Sequence, residues 1–158
     1  MNKIEWCLSQ NHGIELIESN RNVSELYMIK SFDSLKALHQ VDVKSWKITT
    51  AYYAMYFALY SIMMRIGVKC EIHDCSLEFM NVFLTDMFND DDFNLISMAR
   101  DARLDLQYYV DKTISSERYD MIISHAEDFI YKCRKILSSL QEKEILMIRL
   151  NVQKILFH

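Results

Sequence analysis

The 158-residue chain contains no proline and only two glycines, Gly13 and Gly67. Sheet-rich folds such as sandwiches and barrels need many tight turns, and those turns draw on glycine and proline. The scarcity of both residues therefore argues against an all-β fold and favours long helices joined by few connections. The balance of 51% hydrophobic and 25% charged residues is that of an ordinary globular protein, and the length suits one domain.

The chain also lacks an excess of positive charge. Its 18 lysines and arginines stand against 22 aspartates and glutamates, which gives a formal net charge of −4. A general nucleic-acid binder carries a broad basic surface. The composition therefore argues against that class and is compatible only with a local basic site.

No export signal is recognisable at the start of the chain. The opening residues, MNKIEWCLSQ, have neither a long apolar core nor a small-residue cleavage site, which predicts a cytoplasmic protein. The spacing of the four cysteines is not typical of a disulfide framework, so we expect all of them to be reduced thiols. They are Cys7, Cys70, Cys75 and Cys133.

Apolar residues recur at intervals of three and four, the spacing of amphipathic helices. This pattern predicts one helix from about residue 22, a second from Asp42 to Gly67, and a short third that begins near Asp74 or Ser76. Further helices follow over about 93–112 and 118–140, and a helical tail over 141–158. Asp42, and either Asp74 or Ser76, are the expected N-caps. Gly67 is the expected helix end, because glycine accepts the left-handed conformation found there.

The predicted fold is all-α, an up-and-down antiparallel bundle of four main helices with extra terminal helical segments. It forms a single domain over residues 1–158, with a core of about 22–140 and a C-terminal extension over 141–158. No segment shows the alternation of a strand. The apolar face of the extension either covers the core or docks a second subunit or partner, and the sequence leaves both alternatives open.

The longest uncharged run lies in the second helix and reads ITTAYYAMYFALYSIMM, residues 48–64. It only just reaches the lower length limit for a membrane span. Its tyrosines sit in the middle, whereas tyrosine in a bilayer belongs at the interfaces. A helix that is apolar on nearly every side is typical of a buried core helix. We therefore predict a central helix in the bundle and no membrane association.

Three stretches, taken in order, resemble the HEPN domain family, named for the higher eukaryotes and prokaryotes nucleotide-binding domain. They are AYYAMYFALYSIMMRIG at 51–67, IHDC at 72–75 and ARDARLDLQYY at 99–109. The likeness extends from about Val23 to Leu140. The resemblance implies a helical bundle that forms homodimers and pairs with a minimal nucleotidyltransferase, often as a toxin and antitoxin. Active members of the superfamily are metal-independent ribonucleases with an Arg-x4-6-His motif, in which the arginine stabilises the phosphate and the histidine moves protons.

The chain departs from that motif at its histidine. Tyr108 follows Arg103 after four intervening residues, at the place of the histidine, and tyrosine has too high a pKa to be a base at neutral pH. Arg118 and His125 fit the spacing but lie one helix later, and we interpret them as a chance match. Positions 103 and 108 do not share one helix face, so a joint site needs a neighbouring helix or a dimer partner.

The resemblance and the residues together give two sets of candidates. Arg103 and Tyr108 are the catalytic residues if the protein is active, and a nucleotide or phosphate site is predicted to include Arg100, Arg103, Gln107 and His73. The competing interpretation is a solvated face on which Asp101 and Asp105 pair with the arginines. We expect this chemistry around Arg103 and Tyr108, away from the aromatic run.

Cys70, His73 and Cys75 have a spacing that suggests zinc, but a structural zinc needs four ligands and no fourth lies nearby. We therefore predict no metal and no cofactor.

Three hypotheses for function remain. The first is a homodimeric HEPN-like module, associated with nucleotide or RNA, that acts with a minimal nucleotidyltransferase in a toxin–antitoxin-type system and carries a degenerate ribonuclease motif. The second is an active metal-independent endoribonuclease. The third is a non-catalytic dimerisation scaffold.

Overall fold

A computed structural model describes residues 1–157. The described chain is mostly helical, and its helices pack against one another. The helices are α1 (Lys3–Ser9), α2 (Arg21–Gln40), α3 (Lys44–Ile66), α4 (His73–Phe83), α5 (Asp90–Tyr108), α6 (Ser116–Ser139) and α7 (Glu142–Leu156). Two strands of two residues each, β1 (Glu15–Leu16) and β2 (Val68–Lys69), pair antiparallel. The predicted all-α bundle is confirmed, while the strand pair was not predicted because two residues are too few to show an alternation.

Helix α3 is the axis of the bundle, as the uncharged run predicts. Nearly every side chain from Ile48 to Ile66 is buried, including the ring of Tyr52, which is 0% exposed. The helix packs against α2, α5 and α6, and only a few of its side chains, Tyr53 and Phe57 among them, are partly exposed. Within residues 1–157, no helix combines the length and apolarity that crossing a membrane requires.

The end of α3 lies at Gly67, as predicted. Gly67 has a φ of 87° and its amide donates to the carbonyl oxygens of Met63 and Met64. Arg149 of α7 reaches the same place, where its Nη1 lies within 3.1 Å of the carbonyl oxygens of Ile17, Ile66 and Gly67. The contact with Ile66 satisfies a carbonyl group that the helix end leaves without a partner.

The predicted N-caps of α3 and α4 are wrong. Helix α3 begins after Val43 and α4 begins after Ile72, and neither start has a side-chain cap. Asp74 and Ser76 lie inside α4. The start of α4 is instead held by packing, since the His73 ring stacks on Tyr56 of α3. Helix packing supplies most helical stability in proteins, and it overrides a local cap preference here.

Helix α5 also differs from its predicted bounds. It begins at Asp90, and Asn89 is its N-cap. The Asn89 side chain accepts a hydrogen bond from the Asp92 amide, and the Asp92 carboxylate accepts one from the Asn89 amide. It ends at Tyr108 rather than near residue 112.

The expectation of four reduced thiols is wrong for two of the cysteines. Cys7 of α1 and Cys75 of α4 form a disulfide, whereas Cys70 and Cys133 are free and buried. The bonded residues are 68 positions apart, and spacing along the chain carries no information on such a pairing. The bond exists because α1 folds back against α4.

Candidate functional site

Arg103 lies on α5 and points its side chain against the central helix. The residue is 9% exposed. Its guanidinium carbon is 5.1 Å from the ring centroids of both Tyr52 and Tyr53. Nη1 donates a hydrogen bond to the Tyr53 hydroxyl at 2.5 Å. Arg103, which we expected to lie away from the aromatic run, therefore lies directly against it.

The charge of Arg103 has no counter-ion within residues 1–157, where no carboxylate lies in ion-pair range of its guanidinium. Its Nε is buried and has no hydrogen-bond partner. A buried charge without a partner is destabilising, and native proteins leave few buried polar groups unsatisfied. A bound anion would compensate this charge and could accept a hydrogen bond from Nε.

His73 stands on the other side of the same tyrosines, as the first residue of α4. Its Nδ1 is 2.7 Å from the Tyr52 hydroxyl. Its ring is nearly parallel to that of Tyr56, with a centroid distance of 4.0 Å. Burial lowers the pKa of His73, and the positive charge of Arg103 lowers it further. The imidazole is therefore neutral at pH 7 and able to accept or pass on a proton.

The tyrosines around this histidine keep their protons. Burial raises the pKa of Tyr52 and of Tyr56 far above the ordinary range. Tyr56 is hydrogen-bonded to the Ser76 hydroxyl at 3.0 Å. Because Tyr52 remains a phenol, it can donate to Nδ1 of His73, and that hydrogen bond leaves the imidazole proton on Nε2.

Arg100 resembles Arg103 in sequence but not in environment. It forms ion pairs with Asp74 of α4 and with Asp101, the latter at 2.7 Å. Its charge is thus compensated, as the solvated-face interpretation holds, and it links α5 to the first turn of α4. That turn also carries Cys75, which the disulfide fixes to α1. The position of His73 is therefore held by an ion pair, a disulfide and ring stacking.

The structure brings Arg103 and His73 together, because both contact Tyr52. Arg100 lies beside them, because it pairs with Asp74, the residue that follows His73. The structure does not bring Gln107 or Tyr108 to this cluster by any direct contact: both are exposed, and Tyr108 is the last residue of α5, 66% exposed. The tyrosines of α3 are part of this cluster, although the sequence does not predict it. Their spacing in the run AYYAMY indicates core packing, and the need of their hydroxyls for polar partners is the one signal of a further role.

The cysteines of the suggested zinc triad are engaged elsewhere. The sulfur of Cys75 is bonded to Cys7, and the Cys70 thiol donates to the carbonyl oxygen of Ile72 at 3.2 Å. Residues 1–157 contain no group of three or more histidine, cysteine, aspartate or glutamate side chains arranged for a metal ion. Comparison of the chain with models of known protein families and with curated proteins gives no match.

Proposed function

We propose that this chain is a HEPN-like module that binds the phosphate of a nucleotide or RNA at Arg103. In this proposal it forms a homodimer and acts with a minimal nucleotidyltransferase in a toxin–antitoxin-type system. The single observation that carries the phosphate site is the buried guanidinium of Arg103, which has neither a carboxylate partner nor a hydrogen bond at Nε.

The chemistry of the guanidinium supports phosphate in particular. Nη1 is used by Tyr53, whereas Nε and Nη2 make no hydrogen bond within residues 1–157. These two groups lie on one edge of the planar guanidinium and can donate in parallel to two phosphate oxygens. The Tyr53 hydroxyl accepts from Nη1 and still has its own O–H group to donate.

Binding is tested with Arg103→Met, which keeps an apolar side chain of similar length against Tyr52 and Tyr53. We expect the wild-type protein to bind nucleotide or short RNA and the variant to lose that binding. Because the substitution removes a buried charge without a partner, its free energy of unfolding should be unchanged or higher. Arg100→Met is the matched control, since it removes an arginine that has its own carboxylate partners and should retain the binding.

The measurements are fluorescence anisotropy with labelled RNA, thermal shift with nucleotides, and urea unfolding of each variant. A stable wild-type protein that binds none of these ligands would refute the phosphate site. An Arg103→Met variant that loses stability like a core truncation, by about 2 kcal/mol or more, would show that the arginine has a structural role. Light scattering of the purified chain tests the homodimer separately.

A second candidate function, metal-independent RNA cleavage, is favoured by the neutral His73. In this second proposal, His73 of α4 takes the place of the histidine that is missing after Arg103, because both His73 and Arg103 contact Tyr52. Arg103 would stabilise the charged phosphate and His73 would move the proton. The exposed Tyr108 is not needed in this arrangement.

Cleavage is tested on varied RNAs in the presence of a chelator. Activity that survives chelator and is abolished by both Arg103→Met and His73→Gln would establish the ribonuclease. Absence of cleavage by a folded protein that still binds RNA would leave the non-catalytic module as the function.

A further inference from the structure

A row of half-buried aromatic rings leads away from Arg103 along α3 and onto α2. Tyr53, which hydrogen-bonds Arg103, stacks on Phe57 with a centroid distance of 5.6 Å and an interplanar angle of 28°. Phe57 lies 6.1 Å from Tyr27 of α2 at an angle of 32°. We call Tyr53, Phe57 and Tyr27 the aromatic row. None of the three is fully buried, unlike the neighbouring Tyr52.

A second uncompensated cation stands over this row. Lys30 of α2 is exposed, and its Nζ lies 4.6 Å from the ring centroid of Phe57. Within the described residues Lys30 makes no ion pair, and neither does Arg103. The row is thus accompanied by a cation at Phe57 and another at Tyr53, while the chain as a whole is acidic.

Proteins that bind single-stranded nucleic acid combine partly accessible aromatic rings with neighbouring cations. Bases stack on aromatic side chains, and the phosphates between them are bound by lysine or arginine. A duplex cannot use such a row, because its bases are already stacked on one another. An apolar protein partner would bury the rings but would leave Lys30 and Arg103 desolvated and without counter-ions, which is unfavourable.

We propose that the aromatic row stacks the bases of a single-stranded RNA whose backbone is held by Arg103 and Lys30. The inference rests on the phosphate site proposed above and adds to it a substrate class. Because the row presents three rings, the ligand is an oligonucleotide rather than a mononucleotide.

The test compares a labelled octamer of adenylate with an abasic octamer that has the same sugar–phosphate backbone. Phe57→Leu should weaken binding of the adenylate octamer by a factor of about 5 to 150, the range expected for the loss of one stacked base. The affinity for the abasic octamer should not change, since no base is lost. Tyr131→Leu, which removes an exposed ring on α6, should alter neither affinity.

Lys30→Gln provides a second, surface variant that does not threaten the fold. It should weaken binding of both octamers alike and lower the slope of log affinity against log salt by about 1. For the wild-type protein, photo-crosslinking with 4-thiouridine-containing RNA should modify peptides that contain Tyr27, Tyr53 or Phe57. Base-paired RNA of the same sequence should compete poorly.

The outcomes separate this inference from the proposed function. If Arg103→Met abolishes binding but Phe57→Leu affects both octamers equally or neither, the aromatic row is wrong and the phosphate site stands. If the wild-type protein binds neither an octamer nor a nucleotide, both proposals are wrong; if it binds nucleotide but no octamer, only the aromatic row is wrong. Crosslinks confined to other peptides would overturn the aromatic row. So would a Phe57→Leu variant that changes the oligomeric mass and not the affinity for RNA, because the row would then be a protein–protein interface.

Discussion

Removal of the Cys7–Cys75 disulfide should cause one of the largest single losses of stability available in this molecule. The bond closes a loop with a sequence separation of 68 residues and joins α1 to α4. Both cysteines are 0% exposed, so alanine is the appropriate replacement, because serine would leave a buried hydroxyl without a partner. The double variant Cys7→Ala/Cys75→Ala is therefore the perturbation.

The magnitude follows from the loop length. A cross-link that closes a loop of this size lowers the entropy of the unfolded chain enough to stabilise the native state by about 4 kcal/mol. For a domain of this length, that loss corresponds to a fall in melting temperature of roughly 10 °C. The loss acts mainly through the unfolded state, so the native contacts of α3 should be little changed.

Urea and thermal unfolding of the protein purified without reductant provide the assay. Wild-type protein should lose the same stability when a dithiol reductant is added, whereas the double variant should not respond to it. Cys70→Ala is the matched control, since Cys70 is also buried but free, and its response to reductant should equal that of the wild type. Thiol titration of the denatured, unreduced wild type should find two free thiols among the four cysteines.

Four titratable thiols, or a melting temperature that reductant leaves unchanged, would refute this argument. A large loss in the double variant that reductant does not reproduce in the wild type would assign the effect to packing of the cysteine side chains rather than to the covalent bond.

Two further predictions concern single residues. Gly67→Ala should lower the free energy of unfolding by about 2 kcal/mol or more, because φ is 87° and a Cβ would meet Arg149 and the Ile17 carbonyl. Gly67→Asn tolerates this φ but also carries a Cβ, so it should recover only part of the lost stability. Full recovery of stability by Gly67→Asn in urea unfolding would exclude the steric contribution. For His73, whose folded pKa is lowered, the native state binds fewer protons than the unfolded state as the pH falls through about 6.5, so stability is lost on acidification. Urea unfolding at pH 7.5 and 5.5 should therefore show a smaller loss on acidification in His73→Gln than in the wild type, and equal losses would contradict the neutral buried state.

Much of the fold could be predicted from the sequence because its determinants are local. The absence of proline allows long helices, the periodic apolar residues define their buried faces, and Gly67 ends α3 where only a residue without a side chain fits. The same local reasoning was wrong at Asp42 and Asp74. Both are good capping residues, but the starts of α3 and α4 depend on packing between helices, which local sequence does not contain.

The candidate site was predicted only in part, for a similar reason. Arg103 and His73 were recognised as candidates from their places in the ordered motifs, but the sequence does not show that Arg103 is buried without a counter-ion and that Arg100 is paired. The difference arises in three dimensions, where Asp74 of α4 reaches Arg100 and the tyrosines of α3 enclose Arg103. One arginine thereby becomes a compensated surface charge, and the other a buried charge without a counter-ion.

The sequence by itself determined that this protein is a helical bundle around the aromatic helix α3, because hydrophobic periodicity and helix-ending residues act over a few positions of the chain. The tertiary structure alone decided three other features. It joined Cys7 to Cys75, placed Arg103 and His73 on opposite sides of Tyr52, and left Tyr108 in solvent. Each of these depends on contacts between residues far apart in the chain, and burial, which sets charge and pKa at the site, exists only once those contacts have formed.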